Sequence, residues 1–301
     1  MQLAHQAMTT GTILTKRHIY YQHQELFETQ RVVDELVDDL AYTLDTDRDN
    51  LHITSSSKGS VSGCMIIHLR SGEVVDASEN ELGTAVPFSR SVSRIEARDA
   101  RWLLVVEKDA VFRSLVAVRF WETSLAGSGI LVTARGYPDL MTRSFLTKIE
   151  AECPHLPMLV LSDFDPDGLS IFSCYRYGTT NFSHESSNVR INFGWLGIQS
   201  GHLGTLHNNR LASGAGSSAQ TGVWSDNCLV NLTIRDRLCA FRMLRKSFDA
   251  GDGDFEQILM RRELQIMLML GTKAEIQFLD DSGDITHWLN NALQKVLDII
   301  Y

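Results

Sequence analysis

No stretch of this 301-residue chain is apolar for long enough to cross a membrane as a helix; its longest apolar runs are strand-sized. The N-terminus lacks the basic-then-apolar order of a secretory signal. Cysteines are few: Cys64, Cys153, Cys174, Cys228 and Cys239 are odd in number and form no C-x-x-C pair. That speaks against a disulfide framework or a zinc site and fits reduced thiols in an intracellular protein. No G-x-x-x-x-G-K-[ST] occurs, so ATP binding through a P-loop is not expected. No internal repeat is visible. Positive charge is not in excess either. The net charge is −9, so contact with nucleic acid would need local basic patches and bound metal rather than the overall field. The 44% apolar content excludes wholesale disorder, and the length suits one large domain or two ordinary ones.

The most informative segment is Met158–Gly168, MLVLSDFDPDG. Met158-Leu159-Val160-Leu161 reads as a buried strand, followed by Asp163, Asp165 and Asp167 at alternating positions and closed by Gly168. In open α/β sheets, ligands bind at the carboxyl ends of parallel strands. Carboxylates gathered there repel one another unless a hard cation lies among them, and Mg²⁺ is the natural candidate. Asp, Pro and Gly are also ordinary turn formers, so a plain strand-to-turn junction is the competing explanation. An EF-hand is excluded, because its twelfth position needs a bidentate Glu and here holds Cys174. An aspartyl-nucleophile phosphatase fits less well, with Asp167 where Thr or Val is usual.

Towards the N-terminus, Leu14–Phe27 reads as helical, and Val32, Val33, Leu36, Val37, Leu40 and Leu44 repeat at helical spacing. Arg17 precedes Tyr21 by four residues, so a helix projects both from one side; Tyr20, three residues on, shares that property. Spacing alone therefore does not choose between the two tyrosines. Between Asp49 and Ala77 the pattern changes to short strands: a loop at Ser55–Gly59, a strand at Met65–Leu69, a turn at Ser71-Gly72 and a return at Val74-Val75. Helices followed by such a hairpin suggest a winged-helix module. Arg90, Arg94, Arg98 and Arg101 then follow at helix-like intervals, a solvated face or a set of phosphate contacts.

Trp102–Val106 reads as a buried strand ending in Glu107, Ala110–Val118 as a helix, Ile130–Val132 as a strand and Leu140–Glu152 as a helix leading into the aspartate strand. This alternation implies parallel pairing, with Glu107 and Asp163 on one edge of one sheet. Leu211–Gly222 reads as a mobile loop; Leu232–Lys246, Phe255–Leu270 and Ile285–Ile300 read as helices.

Glu107 after one strand and Asp163-Phe164-Asp165 after a later one resemble the toprim fold. The neighbours narrow the match. Val105–Phe112, Gly136-Tyr137-Pro138-Asp139 and Asp163–Gly168 resemble the A-type chain of DNA topoisomerase VI and its eukaryotic relatives that make meiotic double-strand breaks. Arg17-His18-Ile19-Tyr20-Tyr21 resembles that family's R-[DE]-[IVL]-Y-Y, and Tyr21–Phe27 looks most like fungal members. Lys58-Gly59 with Gly63, Trp195-Leu196-Gly197, Leu232–Arg237 and Lys273–Ile276 match further landmarks, in order, over nearly the whole chain. Departures are His18 for an acid, Ala134-Arg135 for Gly-Lys, and Asp167 for an aromatic or His.

The resemblance implies an α/β chain (α+β overall): a tyrosine-bearing winged-helix domain over 1–85, shortened at its N-terminus, a linker over 86–100, and a toprim domain with a C-terminal extension over 101–301. It selects Tyr21 as the nucleophile, with Arg17 stabilising phenolate or phosphate, since a phenol of pKa ~10 needs help to ionise. Glu107, Asp163 and Asp165 would hold Mg²⁺, and Lys58 and Arg135 would contact double-stranded DNA. It further implies a homodimer, a topoisomerase VI B-like subunit that supplies ATP dependence, other meiotic break-forming proteins, a nuclear site of action on chromosomes, and no membrane. The product would be a 5′-phosphotyrosyl end. Alternatives are a strand-passing topoisomerase of the A type, a catalytically inactive DNA-binding relative, and a toprim nuclease that uses water.

Overall fold

The computed structural model describes residues 1–10, 12, 14–46, 48–54, 58–178, 190–202, 229–249, 254–276 and 285–300. Its centre is a six-stranded sheet made of β3 (Ser60–Gly63), β6 (Thr84–Ala85), β8 (Trp102–Val106), β9 (Gly129–Thr133), β10 (Met158–Ser162) and β11 (Phe193–Gly197). The spatial order is β11-β10-β8-β9-β3-β6. All five residues of β8, of β9 and of β10 are buried, as continuous apolar runs require when helices cover both faces of a parallel sheet. Those helices include α5 (Asp109–Ala117), α6 (Phe120–Thr123), α7 (Leu140–Glu152) and α8 (Pro166–Tyr177).

The strand order has a consequence for function. β8 pairs in parallel with β9 on one side and β10 on the other, and β10 pairs in parallel with β11. The chain leaves β8 towards β9 and leaves β10 towards β11, in opposite directions. The two carboxyl ends therefore flank a topological switch point, where open α/β sheets form their ligand crevice. Met158 to Leu161 lie opposite Leu103 to Val106, so Glu107 and Asp163 emerge nearly level.

β3 runs antiparallel to β9, and β6 antiparallel to β3, so this sheet draws on residues on both sides of position 85. The expected hairpin is present as β4 (Ile66–Leu69) and β5 (Val74–Asp76), with β7 (Val92–Glu96) as a third strand beside β4. Its Met65 and Ile67 join the large core of the six-stranded sheet.

Those helices are α1 (Gln2–Thr10), α2 (Lys16–Gln22), α3 (Gln24–Phe27) and α4 (Gln30–Thr43). They enclose a separate small core of Ala4, Ile19, Val33, Val37, Ala41, Leu51 and Ile53. The helix expected over Leu14–Phe27 is interrupted. Leu14-Thr15 forms β1, parallel to β2 (Ile53–Thr54), and the chain breaks again at His23. Thr15 caps α2 by accepting the His18 N–H at 3.1 Å.

The arginine stripe is not helical. Arg90 lies in a short 3₁₀ turn, Arg94 in β7, Arg98 in a left-handed turn (φ 40°) and Arg101 just before β8. Buried Val92 and Ile95 decide this, with Ile95 directly opposite Ile67 in the ladder. Strand pairing outweighs the four-residue spacing of the charges between them.

At the C-terminal side stand α9 (Ile234–Asp249), α10 (Phe255–Leu270) and α11 (Ile285–Ile300). An unanticipated antiparallel pair joins β12 (Leu229–Asn231) to β13 (Thr272–Ala274). Of the loop expected over Ser55–Gly59, residues 55–57 lie outside the described residues, as does the loop expected over Leu211–Gly222.

Gly129 opens β9 against the fully buried Trp102, whose indole ring would lie 2.3 Å from an added Cβ. Gly129→Ala is expected to lower unfolding stability by roughly 1–3 kcal/mol, as overpacking does. Gly201→Ala, where the Cβ meets open space, is the near-neutral control in the same denaturant titration.

Candidate active site

The parallel ladder continues past the strands: the Glu107 N–H donates to the Leu161 carbonyl at 3.0 Å. Beyond it, the Asp163 N–H donates to Glu107 Oε2 at 3.1 Å. Asp163 is 3% exposed, and both its oxygens are engaged. Oδ1 accepts the Ile276 N–H at 2.8 Å, and Oδ2 lies 2.9 Å from Lys108 Nζ. Lys108 also reaches Glu275 at 2.8 Å. Asp165 is the N-cap of α8, accepting the Gly168 N–H at 2.5 Å, with Pro166 in the first turn where its missing donor costs nothing. Gly168 is required here, because a Cβ would lie 2.6 Å from the Asp163 carbonyl oxygen. Asp167 points elsewhere, 3.8 Å from Arg235.

Burial pushes the Glu107 carboxyl up to about 8, with the charge of Asp163 adding to the effect. Burial, then Asp163, also raises Asp165, to about 6, against the opposing Gly168 N–H. Asp163 is raised by burial, and Lys108 and the Ile276 N–H offset part of that. Burial works against the Lys108 charge, but Asp163 and Glu275 outweigh it and hold its proton.

These are hard oxygen donors, desolvated and short of positive charge, and that donor set fits a divalent cation of the Mg²⁺ type. Glu107 and Asp163 are immediate neighbours, while Asp165 spends one oxygen on the helix cap. Among the described residues no three such side chains close into a ready-made cage. A cation with several retained waters suits this open arrangement.

Tyr21 and Arg17 lie on α2, in the small N-terminal unit. The tertiary structure separates the two tyrosines. Tyr20 packs against the small core and its hydroxyl donates to the Glu28 carbonyl at 3.4 Å, whereas Tyr21 is 64% exposed. Among the described residues no hydrogen bond or ion pair joins Tyr21 or Arg17 to the acidic residues. Lys58 and Arg135 meet each other. Arg135 follows β9 and donates to the Lys58 carbonyl, to Asp109 Oδ1 at 3.0 Å and to Ser60 Oγ at 3.2 Å.

Lys108 and Glu275 belong to this site although the sequence reading gave neither a role; both lie inside segments that resemble the family, Val105–Phe112 and Lys273–Ile276. Glu275 arrives because Ala274 bridges to Phe164, a pairing across more than a hundred residues.

Comparison with known proteins agrees with this geometry. Residues 102–293 match the Toprim domain of the family that unites the topoisomerase 6 A-type chain with Spo11, and residues 1–53 match type IIB DNA topoisomerase. The chain belongs to the topoisomerase VI A/Spo11 family. It is 34% identical to the meiotic recombination protein rec12 of Schizosaccharomyces pombe over 92% of this chain and 70% of the relative. It is 31% identical to the mouse meiotic recombination protein SPO11, covering 93% of this chain and 65% of that protein. It is also 31% identical to the A-type chain of DNA topoisomerase 6 from Arabidopsis thaliana, over 94% and 61% respectively. The toprim assignment, the fungal leaning and the mixed α/β class all stand with these matches. The fungal meiotic recombination protein matches this chain more strongly than the topoisomerase relatives do, at 34% against 31–32% identity, which favours the meiotic reading.

In metal-free protein the raised Glu107 carboxyl makes a specific stability signature. Its folded value, about 8, lies above the ordinary 4.5, so between these values the folded state holds a proton that the unfolded state has lost. Stability contributed by this group is full below pH 4.5 and is lost as pH rises towards 8. Glu107→Gln keeps an acceptor for the Asp163 N–H and removes that loss. The variant is expected to exceed wild type by roughly 1–2 kcal/mol at pH 8 and to converge with it near pH 4.5. Denaturant unfolding in EDTA across this range checks the expectation, and added Mg²⁺ should stabilise wild type more than the variant.

Proposed function

We propose that this chain cuts double-stranded DNA by tyrosine transesterification, making the breaks that initiate meiotic recombination. The observation that carries the reading is the pairing of Glu107 with Asp163 at the switch point, while the exposed Tyr21 sits on a different core.

The Tyr21 phenolic oxygen attacks a backbone phosphorus. The bond from phosphorus to the 3′ oxygen breaks, that oxygen takes a proton, and the protein is left on the 5′ phosphate. Arg17, one turn before Tyr21 on the exposed side of α2, supports the phenolate or the developing phosphate charge. Glu107 and Asp163, with Asp165, hold a divalent cation such as Mg²⁺, which supplies positive charge beside the scissile phosphate when bound. The phosphotyrosyl link retains the energy of the phosphodiester, so cleavage itself needs no ATP.

The separation of tyrosine and acids supports a homodimer in which Tyr21 of one copy meets the acidic edge of the other, one strand being cut per centre. In this reading the exposed Lys58 contacts the DNA backbone. Family membership supports DNA binding and a B-type subunit, which would bring ATP hydrolysis. In this reading the chain works with other meiotic break-forming proteins on chromosomes in the nucleus, and its likeness to meiotic recombination proteins supports that. A strand-passing topoisomerase role is the second reading, because relatives named as A-type chains of DNA topoisomerase 6 cover this chain at 31–32% identity.

With Mg²⁺ and partner proteins, wild type should yield covalent protein–DNA adducts. Tyr21→Phe should reduce them by roughly 100-fold or more, the loss expected when a nucleophile is deleted, and Tyr20→Phe should retain them. Wild-type adduct levels in Tyr21→Phe would sink the nucleophile assignment. Free 5′-phosphates made independently of Tyr21 would point to a water-using nuclease, and DNA binding with no cleavage to an inactive relative.

A further inference from the structure

Lys58 and Arg135 lie 77 positions apart, yet the chain joins them through the Lys58 backbone rather than through a shared surface. Arg135 adopts a left-handed conformation (φ 58°) and Gly136 follows at φ 101°, so the chain turns sharply at the carboxyl end of β9. The Gly136 N–H donates to the Glu107 carbonyl at 3.0 Å, which ties this loop to the acidic strand end. Two side chains of the same loop then grip Lys58. The Arg135 guanidinium donates to its carbonyl, and Asp139 Oδ2 accepts its N–H at 2.8 Å. Asp139 Oδ1 meanwhile caps α7 through the Thr142 N–H at 2.7 Å. Gly59 allows the close approach, since a Cβ there would meet Thr142 Oγ1 at 2.4 Å and Val86 at 2.8 Å.

The charges differ in availability. Arg135 is paired with Asp109 and has donors committed to Lys58 and Ser60, so little of its charge is left for a phosphate. Lys58 is exposed, and among the described residues its ammonium makes no hydrogen bond or ion pair. In a chain of net charge −9, an uncompensated lysine with a fixed backbone matters to phosphate binding beyond its single charge. Ordering its backbone in advance removes part of the entropy that binding would otherwise lose.

We infer that the Arg135–Asp139 loop is a bracket that holds Lys58 in register with Glu107 for one DNA phosphate. Arg135 and Asp139 are positioning residues that act on DNA through Lys58. This replaces direct contact by Arg135, and it rests on the DNA-cleaving reading above.

The test is a double-mutant cycle on the whole chain, with binding to a short DNA duplex followed by fluorescence anisotropy over a range of KCl. Lys58→Ala should weaken binding about three- to tenfold and lower the salt slope by about 0.9, the mark of one lost phosphate contact. Arg135→Gln and Asp139→Asn should each reproduce much of that loss in wild type and cause less than about a twofold further loss in the Lys58→Ala background. Additive losses, or full affinity in both positioning variants, overturn the bracket. Asn is itself a good helix cap, so Asp139→Asn leaves α7 capped and decides the matter if Arg135→Gln fails to fold. Wild-type protein that binds no duplex at any salt overturns the DNA reading and the bracket together. Wild-type adducts alongside an additive cycle overturn the bracket alone.

Discussion

A buried carboxylate, Asp163, held beside a half-buried one, Glu107, is the constraint from which the rest of this structure follows. The parallel register of β8 and β10 brings Glu107 and Asp163 level, and the Asp163 N–H to Glu107 bond ties them together. In water such a pair would move apart; here the strands behind them are locked into a core with no room to slip. The protein offsets the resulting repulsion with protons, with the Lys108 ammonium and with the Ile276 N–H. That arrangement leaves the Glu107 carboxyl raised by burial and by the charge of Asp163, the kind of perturbation found at functional sites.

The second organising feature is that Tyr21 and the acidic residues lie on elements of different cores. The small helical unit spends its few apolar residues on its own packing and leaves Tyr21 projecting into solvent. Under the function proposed above, one protomer would present two half-sites, and cleavage would depend on assembly. The bracket on Lys58 works over a shorter range, coupling a cation near the start of β3 to the strand end that carries Glu107.

Several elements were legible from residues alone because their signals were local. The uninterrupted apolar runs of β8, β9 and β10 and the helix over Leu140–Glu152 are each written within a few positions, whereas the helix that starts at Pro166 was not read from them. The four arginines from Arg90 to Arg101 misled, since regular spacing of charges says nothing about which apolar residues between them find partners. Val92 and Ile95 found theirs in Ile67 and the large core, and a strand resulted. The hairpin's strands and turn were local facts, but that its Ile67 joins the large core was not.

By itself the sequence determined the chemistry available: which strands end in carboxylates, which helix carries Arg17 and two adjacent tyrosines, and which family the order of landmarks resembles. Those are properties of neighbours along the chain, where backbone geometry converts spacing into direction. Only the tertiary structure decided that Tyr20 is packed while Tyr21 is free, that Lys108 and Glu275 join the acidic site, and that Arg135 grips Lys58. Each of those outcomes depends on contacts between segments far apart in sequence, formed by side chains competing for the same buried partners, and no local pattern records who wins.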